Sequence, residues 1–174
     1  MPRVLLRTAK VLTAEPLPEA DTLLTGTVDC GDADGAPRTF VAGIAKHVTP
    51  DQLVGRRVVV LCNLKPQKLR GVLSSAMLLC ATTPETVELI LPPAESAVGE
   101  RVSPQGSESG QGQLSAEDDA GTPDDVLNPK KKVWERVSAE LSVDPDGMVR
   151  YRGVVVGNSH GACSAPSARN AKVQ

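Results

Sequence analysis

Apolar residues along this 174-residue chain fall in short runs at strand spacing, with no long stretch at the helical period of 3.6. Residues 4–11, 22–28 and 38–41 are β-favouring runs, and the connections EPLPEAD and DADGAP between them are rich in turn formers. Three strands are expected there. Thr49-Pro50-Asp51-Gln52 then offers an N-cap with Pro at the first helical position, and Gly55 ends that helix within a turn or so. The two strongest apolar segments follow, residues 57–62 and 72–81, joined by the basic loop Asn63-Leu64-Lys65-Pro66-Gln67-Lys68-Leu69-Arg70-Gly71. Residues 87–91 read as a further strand that Pro92 and Pro93 stop. Five or six short strands with one small helix predict a mainly β fold, a closed or partly open barrel. The five-stranded oligonucleotide-binding (OB) barrel is the leading member of that class.

Farther along, Val133, Trp134, Val137 and Leu141 share one helical face, which predicts a short helix running to about Leu141. Asp144-Pro145-Asp146-Gly147 is a turn, and residues 148–156 form a strand pair broken near Gly153. Between the two halves, residues 103–125 are rich in Pro, Gly, Ser, Gln and acids, a composition too poor in apolar groups to offset ordering entropy. The expected organisation is a barrel over 1–102, a flexible acidic insert over 103–125, and a small α+β extension over 126–174 that packs on the barrel.

Charge changes the picture of possible partners. The formal net charge is -2, but Glu108, Glu117, Asp118, Asp119, Asp124 and Asp125 crowd the insert, and the chain without those six acids carries +4. An anionic partner is therefore compatible with the acidic total. Aromatic content is only 2%, the single Phe40, Trp134 and Tyr151, which excludes extended base stacking as the main binding mode. Nucleic-acid binding would rest on charge and shape.

Catalytic and metal chemistry find little to work with. The two histidines, His47 and His160, stand alone, and there is no nucleophile elbow, phosphate-binding glycine loop or joint acid pair. Cys30, Cys62, Cys80 and Cys163 are far apart with no CxxC pair, so they read as reduced thiols in a cytoplasmic protein and imply no metal or other cofactor. Cys62 and Cys80 sit inside apolar runs, where cysteine behaves as a small core hydrophobe. The sequence shows neither the roughly 20 apolar residues of a membrane helix nor a signal peptide.

Two basic constellations remain. One is the loop carrying Lys65, Lys68 and Arg70. The other is Lys130, Lys131 and Lys132, expected in the first turn of a helix capped by Asn128 with Pro129 at its first position. Cations at that end oppose the helix dipole by roughly 0.3–1 kcal/mol each, so stability alone would place acids there. A helix start with added lysines is a phosphate-binding arrangement.

The segment VAGIAKHVTPDQLVGRRVVVLCNLKPQKLRGVLSSAMLLCA, residues 41–81, resembles the signature of a tRNA-binding domain shared by several translation proteins. Among them are C-terminal domains of methionyl- and tyrosyl-tRNA synthetases, a free-standing bacterial tRNA-binding protein and endothelial-monocyte-activating polypeptide II. The resemblance reaches back over residues 20–24 and forward through LNPKKKVWE to the end, sparing the acidic insert. It implies an OB barrel that grips tRNA by shape and has no catalytic activity. It also implies a synthetase or multisynthetase complex as partner, and an extension that imitates the second subunit of dimeric bacterial relatives, giving a monomer. Asn63, Lys65 and Lys68 fall on the family's NLKPxK loop, and Ser74 and Met77 on its SxxM element, its tRNA-contacting positions. One departure is Leu17 where relatives usually carry histidine; another is the length of the acidic insert, whose charge predicts competition with RNA for Lys130, Lys131 and Lys132. Two other classes are weighed against this reading: a protein-interaction or cytokine-like signalling module, and a generic single-strand binder.

Overall fold

A computed structural model describes residues 4–105 and 126–174. The acidic insert lies outside the described residues from position 106 onward, and with it the expected competition for the lysines. Among the described residues the fold is mainly β, as expected, and its strands pair antiparallel. The first is β1 (Leu6–Pro16), followed by β2 (Leu24–Asp29), β3 (Arg38–Ala42), the helix α1 (Pro50–Leu53) and β4 (Arg57–Leu61). β1 pairs with both β2 and β4, and β2 with β3. The expected capping of α1 by Thr49 is present as a full capping box with Gln52.

The apolar run 72–81 is not one strand. It divides into β6 (Val72–Ser74), β7 (Met77–Leu78) and β8 (Cys80–Thr82). β7 pairs with β4, a parallel bridge joins Phe40 to Ala76, and β8 pairs with β9 (Val87–Leu89). The sheet thus curls into a half-barrel, with paired strands in the order β3, β2, β1, β4 and β7 and a single bridge, Phe40 to Ala76, between β3 and the residue that precedes β7. Part of the basic loop is also regular, because β5 (Gln67–Leu69) forms a hairpin with β6. β1 overruns its expected end and reaches Pro16 through a bulge between Val11 and Thr13, opposite Val28 and Thr27, next to the pair of Ala14 with Gly26. A Cβ on Gly26 would stand 2.0 Å from the Thr13 carbonyl oxygen, so only glycine lets the two backbones approach.

Alternation along β4 explains why its sequence is apolar throughout. Val58 and Val60 face an inner core with Val11, Leu24, Phe40 and Leu53, while Val59 and Leu61 face a second core. That second core is built with the C-terminal segment: Leu127, Val133, Trp134, Val137 and Tyr151 pack on Leu6, Leu61 and Leu79. The strand is buried on both sides.

The C-terminal segment holds α2 (Val133–Ser138) and the strands β11 (Leu141–Val143), β12 (Val149–Tyr151), β13 (Val154–Asn158), β14 (Gly161–Ala162) and β15 (Lys172–Val173). β10 (Arg101–Pro104) pairs with β1 on one side and β13 on the other, and β15 pairs with β8, so one sheet spans both halves. The helix expected to reach Leu141 stops at Ser138. Leu141 is buried as its spacing requires, but it opens β11 opposite Tyr151.

The lysines also sit elsewhere than expected. Pro129–Lys131 form a separate 3-10 turn capped by Asn128, whose side-chain oxygen accepts from Lys130 N at 3.0 Å. Lys132 is left-handed (φ 49°, ψ 42°) and divides that turn from α2. The three cations therefore precede the helix, with Lys132 at its N-cap, still at the positive end of its dipole. No helix among the described residues is long and apolar enough to cross a membrane. Cys30, Cys62, Cys80 and Cys163 are free and buried.

Candidate nucleic-acid interface

The β5–β6 hairpin turns through Arg70 (φ 52°) and Gly71 (φ 84°), with Leu69 opposite Val72. Positive φ at both central positions is the two-residue turn whose twist suits a hairpin, and it favours Asn-Gly. Arginine at the first position holds a left-handed conformation that side chains normally avoid. Strand alternation then sorts the loop. Gln67, Leu69 and Ser74 share one face, Lys68 and Leu73 the other.

The stems of this hairpin are fixed from below. Asn63 is buried; its side-chain oxygen accepts from Leu5 N at 3.0 Å, and its carbonyl accepts from Leu127 N at 2.7 Å. It ties β1 and the C-terminal segment to the start of the loop. Arg38 Nη1 donates to the carbonyls of Cys62 and Ser75, one residue before the loop and one after β6. Asp32 grips the same guanidinium through Nε at 2.8 Å and Nη2 at 3.0 Å, and also accepts from Arg7 at 3.1 Å. These hydrogen bonds hold the Asp32 carboxyl below its ordinary range, with Arg38 the largest cause. The neighbouring Cys30 and Cys62 thiols interact, which pushes Cys30 far up and draws Cys62 down, and Cys62 Sγ donates to the Val60 carbonyl at 3.5 Å. Burial raises Cys80 and Cys163 to about 12, so both remain protonated.

On the Ser74 face, hairpin and C-terminal segment enclose an open cleft of about 270 Å³. It is lined by the apolar side chains Leu64, Leu69, Met77, Val133 and Trp134 together with Lys65, Gln67, Ser74, Asn128 and Glu135. Ser74 Oγ donates to the Ala76 carbonyl at 3.1 Å and accepts from Val41 N at 3.3 Å. Met77 is half-buried opposite Leu61. Three residues singled out in the sequence, Lys65, Ser74 and Met77, therefore meet at one place. Lys130, Lys131 and Lys132 are exposed directly after the cleft-lining residues Asn128 and Pro129. Lys68 lies on the hairpin's far side and Arg70 at its tip, so neither joins the cleft.

Sequence reading missed Arg38, Asp32, Gln67, Trp134 and Glu135 as parts of this region. Trp134 and Glu135 were visible only as helix residues, and Arg38 reaches carbonyls 24 and 37 positions away, which no local pattern encodes. Among the described residues no group of three or more His, Cys, Asp or Glu side chains could hold a metal ion.

Comparison with known proteins gives this geometry a family context. The family model for a tRNA binding domain matches residues 6–101. Over 173 residues the chain is 39% identical to mouse aminoacyl tRNA synthase complex-interacting multifunctional protein 1, covering 99% of this chain and 51% of that protein. It is 42% identical over 153 residues to chicken cytoplasmic tyrosine–tRNA ligase, covering 86% of this chain and 27% of the ligase. The chain spans about half, or less, of the length of these curated relatives. Among solved structures, the C-terminal domain of Plasmodium vivax p43 superposes with a TM-score of 0.84 at 26% identity, covering 99% of this chain and 98% of that one. A MetRS-related protein from Pyrococcus horikoshii matches 56% of this chain and 88% of its own, with a TM-score of 0.52 and 36% identity.

Proposed function

The chain belongs to the tRNA-binding domain family, and from that premise we propose that it is a non-catalytic module that recognises tRNA by shape and charge on behalf of an aminoacyl-tRNA synthetase. The observation that carries the reading is the meeting of Lys65, Ser74 and Met77 with the lysine-bearing 3-10 turn around one cleft. Lys130, Lys131, Lys132, Lys65, Lys68 and Arg70 supply cations for phosphates. Ser74 and Met77 lie against ribose or base, and Asn63 holds the loop in register. Tethering tRNA near a synthetase gains affinity through effective concentration and needs no chemistry of its own.

The curled sheet from β1 to β7 is read as an OB barrel over residues 1–102, with 103–125 as an insert and 126–174 as the extension. Support comes from the family match, which ends at residue 101, and from the archaeal relative, which covers little more than half of the chain. The second core, shared by both halves, supports an extension that stands in for a second subunit in a monomer. Names of the ligase and complex-associated relatives support a cytoplasmic place beside a synthetase or multisynthetase complex.

Replacing Lys130, Lys131 and Lys132 together with Ala tests the reading. Binding to mixed tRNA is expected to weaken uniformly, and its log–log salt slope to flatten by about 0.7–0.9 for each phosphate that is no longer neutralised. An unaltered slope would remove those lysines from the site.

A further inference from the structure

The cleft contains one group that a phosphate site does not want. Glu135 lines it beside Met77, Val133 and Trp134, and among the described residues no Lys, Arg or His pairs with that carboxylate. A carboxylate repels the RNA backbone, yet it accepts strongly from an N–H donor. The apolar lining of Leu64, Leu69, Met77 and Trp134 suits the flat, weakly polar face of a ring. Its volume, about 270 Å³, falls just below the roughly 300–1,000 Å³ of drug-sized pockets, room for one ring system rather than a run of stacked bases.

Resting on the tRNA-binding reading, we propose that this cleft takes one unstacked nucleobase bearing an exocyclic amino group. The amine donates to Glu135, the ring lies on Met77 and Leu69 beside Trp134, and Lys65 neutralises the adjoining phosphate. Adenine, cytosine and guanine carry such an amine, whereas uracil offers only its ring N3–H, flanked by two carbonyl oxygens that a carboxylate repels. The module would therefore add a base preference to its reading of shape. Ser74 contributes little to that choice, because its hydroxyl is already committed to Ala76 and Val41.

The test uses the full chain and RNA hairpins that share one stem and differ only in the loop, made of uridine, cytidine or adenosine, with tRNA as reference. Trp134 is the chain's single tryptophan, so its indole N–H resonance reports the cleft directly. Cytidine and adenosine loops are expected to bind about tenfold tighter than the uridine loop, the scale of one charge-assisted hydrogen bond, and to shift the indole signal. Glu135→Gln is expected to abolish most of that preference while lowering the melting temperature by only a few degrees, the loss of one acid from the first turn of α2. Equal affinity for the three loops, a preference that survives Glu135→Gln, or an indole signal that never moves would each overturn the base site while tRNA still binds. Failure of tRNA itself to bind would instead overturn the function on which the inference rests.

Discussion

Asp32 holds Arg38 through two hydrogen bonds, from Nε at 2.8 Å and from Nη2 at 3.0 Å, and so aims the remaining guanidinium nitrogen at the hairpin stems. Nη1 reaches the carbonyls of Cys62 and Ser75, which bracket the segment carrying Lys65, Lys68, Arg70 and Ser74. One planar fork thus serves a carboxylate and two backbone acceptors, a task that lysine's single ammonium cannot reproduce.

Arg38→Lys and Arg38→Ala are both expected to loosen the hairpin without unfolding the two cores. Amide exchange should quicken at Leu69 and Val72, the pair that flanks the turn, and tRNA affinity should drop by roughly tenfold, within the approximate 1–3 kcal/mol cost of leaving buried polar groups unpaired. Unchanged exchange in the hairpin would show that Arg38 does not position it.

Arg70 offers a trade between stability and binding. Its left-handed turn position prefers asparagine, so Arg70→Asn should raise stability by on the order of 1 kcal/mol. The same change removes a cation from the hairpin tip, and the salt slope for tRNA should flatten by about 0.7–0.9. Thermal melting together with a salt series reads both. A stabilised variant with an unaltered slope would exclude Arg70 from the interface.

Acid should strip the clamp in a defined window. The Asp32 carboxyl is depressed in the folded chain by Arg38, so its contribution is fully present above the unfolded value of about 3.9 and is lost as pH falls through the lower folded value. Denaturant midpoints measured from pH 6 downward should decline most steeply below about 4, and Asp32→Asn should flatten that decline. An equally steep decline in the variant would place the acid sensitivity elsewhere.

The sequence announced the strands more clearly than their partners. The VVVLC run reads as a buried strand because β4 has a core on each face, and the Thr49 to Gln52 capping signal is local. By contrast, residues 72–81 look like one strand, and the contacts that mark where the run divides, the Ala76 bridge to Phe40 and the Ser74 hydroxyl bond to the Ala76 carbonyl, carry no local sequence signal. Reading 63–71 as a loop hid the alternation that sends Lys68 away from Ser74. Lysine in a left-handed conformation carries no sequence signal, so the separation of Lys130 and Lys131 from α2 at Lys132 was not legible. The family motif located Lys65, Ser74 and Met77, but the opposite wall of their cleft comes from residues more than fifty positions later.

Equilibrium binding of the purified chain to folded tRNA, to unstructured RNA of equal length and to DNA, across a salt series, tests the central claim most directly. The proposed module should prefer folded tRNA at every salt concentration and show a steep salt slope. Equal affinity for all three would reduce it to a polyanion binder, and absence of tRNA binding would contradict the account.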